Sequence, residues 1–159
     1  MIRLALYEPD IPQNTGTILR LAACLGAPVD IVEPAGFPWS DRHFRRAGMD
    51  YLNHVELVRH ISFSAFMESL RESGRRMVLL STQASLPYSE FPFSEADTLV
   101  LGRESRGVPE TVHATADSRV LIPMRPPMRS LNVAVSAAIV LSEALRQTGG
   151  LPPVEAVAE

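Results

Sequence analysis

Short apolar runs that close on turn residues, alternating with stretches of helical periodicity, constrain this chain more than any other feature. Residues 2–7, 29–32, 55–58, 77–80, 98–101 and 119–122 are each of strand length and almost uninterruptedly apolar, the pattern of strands covered on both faces. Between them, residues 14–25 repeat Ile18, Leu21, Ala22 and Leu25 at helical spacing, with Asn14 as a candidate cap and Gly26 as a stop. Residues 63–71 form a second amphipathic helix, and residues 41–47 a short arginine-rich one. The expectation is an α/β fold: a largely parallel sheet flanked by helices, with ligands at the carboxyl ends of the strands. The final helix, residues 130–147, is apolar nearly all round and calls for cover on several sides, either inside the subunit or at a subunit interface.

At 159 residues the chain fits a single domain, expected over residues 1–149, with a loose Pro- and Ala-rich tail at 150–159. No apolar run reaches the roughly 20 residues of a membrane span. Glu8 and Asp10 interrupt the start before any signal-like apolar core develops, so the expected location is cytoplasmic. A lone cysteine, Cys24, excludes an internal disulfide and a cysteine-rich zinc site, and its apolar neighbours predict a buried position. The net charge of −3 would by itself argue against nucleic acid. All 15 basic residues are arginine, which a GC-rich genome accounts for, but their distribution argues otherwise, because several cluster: Arg42, Arg45 and Arg46, Arg103 and Arg106, Arg125 and Arg129. These seven are the candidate nucleic-acid phosphate contacts, with surface salt bridging as the ordinary alternative for any one of them.

Three segments carry the chemistry. They are Pro12-Gln13-Asn14-Thr15-Gly16-Thr17-Ile18-Leu19-Arg20, then Leu101-Gly102-Arg103-Glu104-Ser105-Arg106-Gly107, then Ile122-Pro123-Met124 with Arg129-Ser130-Leu131-Asn132-Val133. In order and content they resemble the three signature motifs of the TrmH-like SPOUT RNA 2′-O-ribose methyltransferases. The phrases Leu6-Tyr7-Glu8-Pro9, Ile31-Val32-Glu33-Pro34-Ala35-Gly36-Phe37 and Arg45-Arg46-Ala47-Gly48-Met49-Asp50-Tyr51 are similar to the minimal tRNA wobble cytidine/uridine 2′-O-methyltransferases of that class. The resemblance runs from about residue 2 to residue 149. At Ala134 and Val135 the wording departs from the Ser-Asn pair usual in the wobble enzymes.

The resemblance implies a C-terminal trefoil knot whose loops wrap S-adenosyl-L-methionine, with no metal. It implies donor contacts at Leu80, Thr82, Gly102, Glu104, Ile122, Met124, Ser130 and Leu131. It implies catalytic roles for Arg20, Asn14, Glu104, Ser130 and Asn132, a homodimer, and the tRNA anticodon stem-loop as partner. A guanidinium with a pKa above about 12 is a poor base, so Arg20 is expected to orient the substrate and stabilise the developing alkoxide. Ser130 and Asn132 also read as an N-cap and its neighbour for the last helix. The alternatives left open are a ribose methyltransferase of another tRNA position or of ribosomal RNA, and a non-catalytic RNA-binding assembly factor on the same fold.

Overall fold

The computed structural model describes residues 1–39 and 49–154. The expected arginine-rich helix at 41–47, with Arg42, Arg45 and Arg46, lies outside them. The elements run β1 (Arg3–Tyr7), α1 (Pro12–Leu25), β2 (Val29–Val32), a 3₁₀ turn (Met49–His54), β3 (Leu57–His60), α2 (Phe63–Glu72), β4 (Arg76–Leu80) and β5 (Leu86–Pro87). A second 3₁₀ turn (Tyr88–Glu90), β6 (Asp97–Leu101), α3 (Glu110–Thr115), β7 (Ser118–Leu121) and α4 (Val133–Thr148) complete them.

The strands form one seven-stranded sheet in the order β3-β2-β1-β6-β4-β7-β5, parallel at each pairing. The chain builds outward from β1 through β2 to β3, then crosses back to lay β4, β6 and β7 on the other side of β1. That reversal leaves a crevice at the carboxyl ends of the central strands, where such sheets bind ligands. Register sets its floor: Leu6 of β1 and Leu80 of β4 both stand beside Leu101 of β6, and Leu80 also stands beside Val120 of β7.

Helices cover both faces. On one, Ile18, Leu19 and Ala22 of α1 and Ala137, Val140, Leu141, Ala144 and Leu145 of α4 bury against Leu4, Leu6, Val78, Leu99 and Leu101. On the other, Phe66 and Leu70 of α2 and Val112 of α3 close over Ala5, Tyr7, Leu79 and Val100. Alanines and valines along α4 let it lie close to α1, so the cover this helix needs is partly internal. Val135, 47% exposed, marks the side that faces away.

Several expectations need correction. α1 starts at Pro12 behind Ile11, which makes no side-chain cap, so Asn14 sits in the first turn with its amide free for other work. Cys24 is exposed, two residues beyond buried Ala22 and so turned to the opposite side of α1. β3 starts two residues later than the apolar run at 55–58, because an edge strand with exposed Val58 and Arg59 is held by its pairing to β2 rather than by burial. α4 begins at Val133, not residue 130, and its cap is Asn132 rather than Ser130.

Leu141 is fully buried where α4 meets α1 and the sheet. Leu141→Ala is expected to lower unfolding free energy by about 2–5 kcal/mol in a denaturant titration; a loss below about 1 kcal/mol would mean that this helix does not close the core.

A candidate methyl-donor site at the carboxyl edge of the sheet

The loops after β4, β6 and β7 meet the start of α1 around a cavity of about 540 Å³. That lies within the roughly 300–1,000 Å³ typical of small-molecule sites. Leu80 and Thr82 come from the first loop, Gly102 and Glu104 from the second, and Ile122, Met124, Ser130 and Leu131 from the third. All eight residues expected to touch a methyl donor therefore line one cavity. Their chemistry suits a group that is part apolar and part polar: Leu80, Ile122 and Leu131 supply apolar wall, and Thr82, Ser130 and loop backbone supply hydrogen-bonding atoms.

Backbone closeness is built into the second loop. Arg103 and Gly107 exchange backbone hydrogen bonds at 3.0 and 2.9 Å, which folds the loop into a tight hairpin. A Cβ on Gly102 would stand 2.7 Å from the carbonyl carbon of Gly107, closer than real contacts allow. Glycine at 102 is thus required for the hairpin itself as well as for bringing bare backbone to the cavity edge.

The polar groups form one connected chain. The Asn132 side-chain oxygen caps α4 by accepting from the N–H groups of Ala134 and Val135 at 2.8 and 3.2 Å. With its oxygen committed, its amide Nδ2 donates to Asn14 Oδ1 at 3.0 Å. Asn14 then turns its own Nδ2 outward and donates to Glu104 Oε1 at 3.3 Å. Helix capping thereby dictates which way both amides point, and each retains a second N–H beside the cavity.

Asp10 closes the far end. Its backbone N–H donates to Glu104 Oε2 at 3.0 Å, and its carboxylate accepts from the Glu104 backbone N–H at 3.1 Å and from the Ser105 hydroxyl. The two carboxyl groups push each other's acidity apart. Burial, and then the nearby Asp10 carboxylate, raise Glu104 above the usual glutamate value. Hydrogen bonding from the Glu104 carboxyl, outweighing partial burial, lowers Asp10 below the usual aspartate value.

Two further features were not legible in the motifs. His113 of α3 lines the cavity, its Nε2 3.0 Å from the Ser81 hydroxyl. Glu8, in the left-handed region at φ 42° just past β1, forms an ion pair with Arg103, whose guanidinium also lies over the Tyr7 ring.

Of the residues expected to act in catalysis, Asn14, Glu104, Ser130 and Asn132 line the cavity. Arg20 does not; it is exposed on α1, its guanidinium over the ring of Tyr51. Arg103 and Arg106 line the cavity, and Arg125 and Arg129 stand exposed on the β7–α4 loop. Among the described residues no group of His, Cys, Asp and Glu side chains could hold a metal ion, and no helix is long and apolar enough to cross a membrane.

Residues 1–142 match the model of the SpoU rRNA Methylase family. The chain belongs to that family. Among its SpoU relatives, a protein of Beijerinckia indica named tRNA (cytidine(34)-2′-O)-methyltransferase is 69% identical over 151 residues, covering 95% of this chain and 94% of the relative. A solved structure concerned with the 2-OH methylation of C/U34 on tRNA superposes with a TM-score of 0.87 at 45% identity, covering 92% of this chain and 95% of that one. The SpoU methyltransferase AviRb from Streptomyces viridochromogenes, solved in complex with the cofactor AdoMet, superposes at 0.81 with 27% identity over 92% of this chain and 60% of its own.

Removing the Asp10 charge relieves Glu104. In Asp10→Asn, the Glu104 carboxyl is expected to titrate at lower pH than in the parent protein, followed by carboxyl-carbon NMR. An unchanged titration would leave burial as the whole cause.

Proposed function

We propose that the chain uses S-adenosyl-L-methionine to methylate the ribose 2′-hydroxyl of the wobble nucleotide of tRNA, a cytidine or modified uridine at position 34. The observation that carries this reading is the convergence of the three motif loops, with all eight expected donor-contacting residues, on one cavity at the carboxyl edge of the sheet. The names and high identity of its SpoU relatives support the substrate. The threading of the β7–α4 segment as a trefoil knot, the absence of a metal requirement, a homodimeric state and a cytoplasmic location belong to the same proposal.

When bound, the donor supplies a methyl group on a sulfonium centre, carried in line to the ribose oxygen. Leu80, Thr82, Gly102, Glu104, Ile122, Met124, Ser130 and Leu131 hold and orient it. The second N–H groups of Asn14 and Asn132, aimed by the α4 cap, are placed to meet developing negative charge at the ribose oxygen. Arg20 holds the flanking phosphate and steadies the negative charge that develops on the ribose oxygen; always cationic, it leaves the hydroxyl proton to another acceptor. Arg106, Arg125 and Arg129, together with Arg42, Arg45 and Arg46, supply phosphate contacts for the anticodon stem-loop, with a second copy of the chain presenting its arginines beside this copy's donor; the ion pair with Glu8 takes Arg103 out of the expected set.

Arg20→Ala should slow methyl transfer to tRNA by roughly two to three orders of magnitude while leaving donor affinity nearly unchanged, read by single-turnover labelling and calorimetry. Transfer at the parent rate would remove Arg20 from the mechanism and the motif-based assignment with it.

A further inference from the structure

The phrase that ends on Tyr51 is not explained by the donor cavity, because Tyr51 does not line it. Tyr51 belongs to the 3₁₀ turn before β3 and packs across from α1. The guanidinium carbon of Arg20 lies 4.8 Å from the centroid of its ring. That is inside the roughly 6 Å over which a cation is drawn to an aromatic face.

How this chain holds its other arginines makes the contact informative. Arg3 is held by Asp30 and Glu56 and Arg146 by Glu143, while Arg59, Arg76 and Arg103 each combine a ring face (Trp39, Phe91, Tyr7) with a carboxylate (Glu33, Asp97, Glu8), and Arg75 and Arg119 donate to backbone carbonyls. Arg20 has neither an ion pair nor a hydrogen bond among the described residues, and the ring is the contact that orients it. A carboxylate would cancel the charge of the guanidinium and occupy its fork of donors. An aromatic face does neither: it restrains the plane of the group and leaves all five N–H donors and the full charge for an anionic partner.

We infer that Tyr51 is a positioning residue for methyl transfer, its ring face presenting the Arg20 guanidinium to the RNA with charge and donors intact. The inference rests on the proposed role of Arg20. It requires the ring and not the hydroxyl, and it acts through Arg20 alone.

Both requirements are measurable in the full chain with S-adenosyl-L-methionine and tRNA. Tyr51→Leu should lower the single-turnover rate roughly tenfold with donor affinity within about twofold of the parent, and Tyr51→Phe should recover most of the rate. In an Arg20→Ala background, Tyr51→Leu should cost nothing further. A parent-like rate in Tyr51→Leu would overturn the inference, as would a Tyr51→Phe as slow as Tyr51→Leu. An equal loss from Tyr51→Leu with and without Arg20, which is what a general folding defect produces, would overturn it too. An inactive parent protein would instead refute the methyltransferase reading, independently of Tyr51.

Discussion

Asn132 has two obligations at once, and the site depends on its meeting both. Its oxygen satisfies the first N–H groups of α4, which would otherwise be orphaned at the helix end. That fixes its amide towards Asn14, which fixes the amide of Asn14 towards Glu104. One cap therefore ties the third motif to the first and the first to the second, and the same bonds that hold the helix hold the orientation of the polar edge of the cavity. Mutation of this residue would lose a cap of about 1 kcal/mol and, with it, the reason for either amide to point one way.

The charge distribution around this chain follows a consistent division. Arg3, Arg59, Arg76 and Arg146 are spent on carboxylates and belong to structure. Glu104 and Asp10 settle their mutual repulsion by displacing their acidities in opposite directions. Arg125 and Arg129 stay exposed on the loop that borders the cavity, and Arg20 is held by a ring. A net-negative protein thus keeps positive charge at the edge where an RNA backbone is expected, which matters more for association than the overall sum.

Much of the architecture was legible because fully buried parallel strands leave apolar runs that few other structures require. β1, β2, β4 and β6 lie within a residue of where those runs put them. Legibility failed where burial did not do the selecting. β3 is an edge strand carrying exposed residues, β5 is two residues long, and α3 is too short for a helical period to show. Cys24 was misjudged because its neighbours in sequence lie on another side of the helix. In the site, the donor-lining residues were readable as motifs since they sit on contiguous loops. Asp10 was not, since its partner Glu104 is 94 residues away. Nor was His113, which reaches the cavity from a short helix outside every motif. The partner of Arg20 was equally hidden: nothing in spacing pairs α1 with a turn ahead of β3.

Where a methyl group is placed decides the function proposed for this chain. The direct measurement is incubation of the purified protein with labelled S-adenosyl-L-methionine and unfractionated tRNA lacking the modification, followed by nucleoside and position mapping of the label. The account predicts label on the 2′-oxygen of nucleotide 34; label on a base, on another nucleotide, or on no tRNA at all would contradict it.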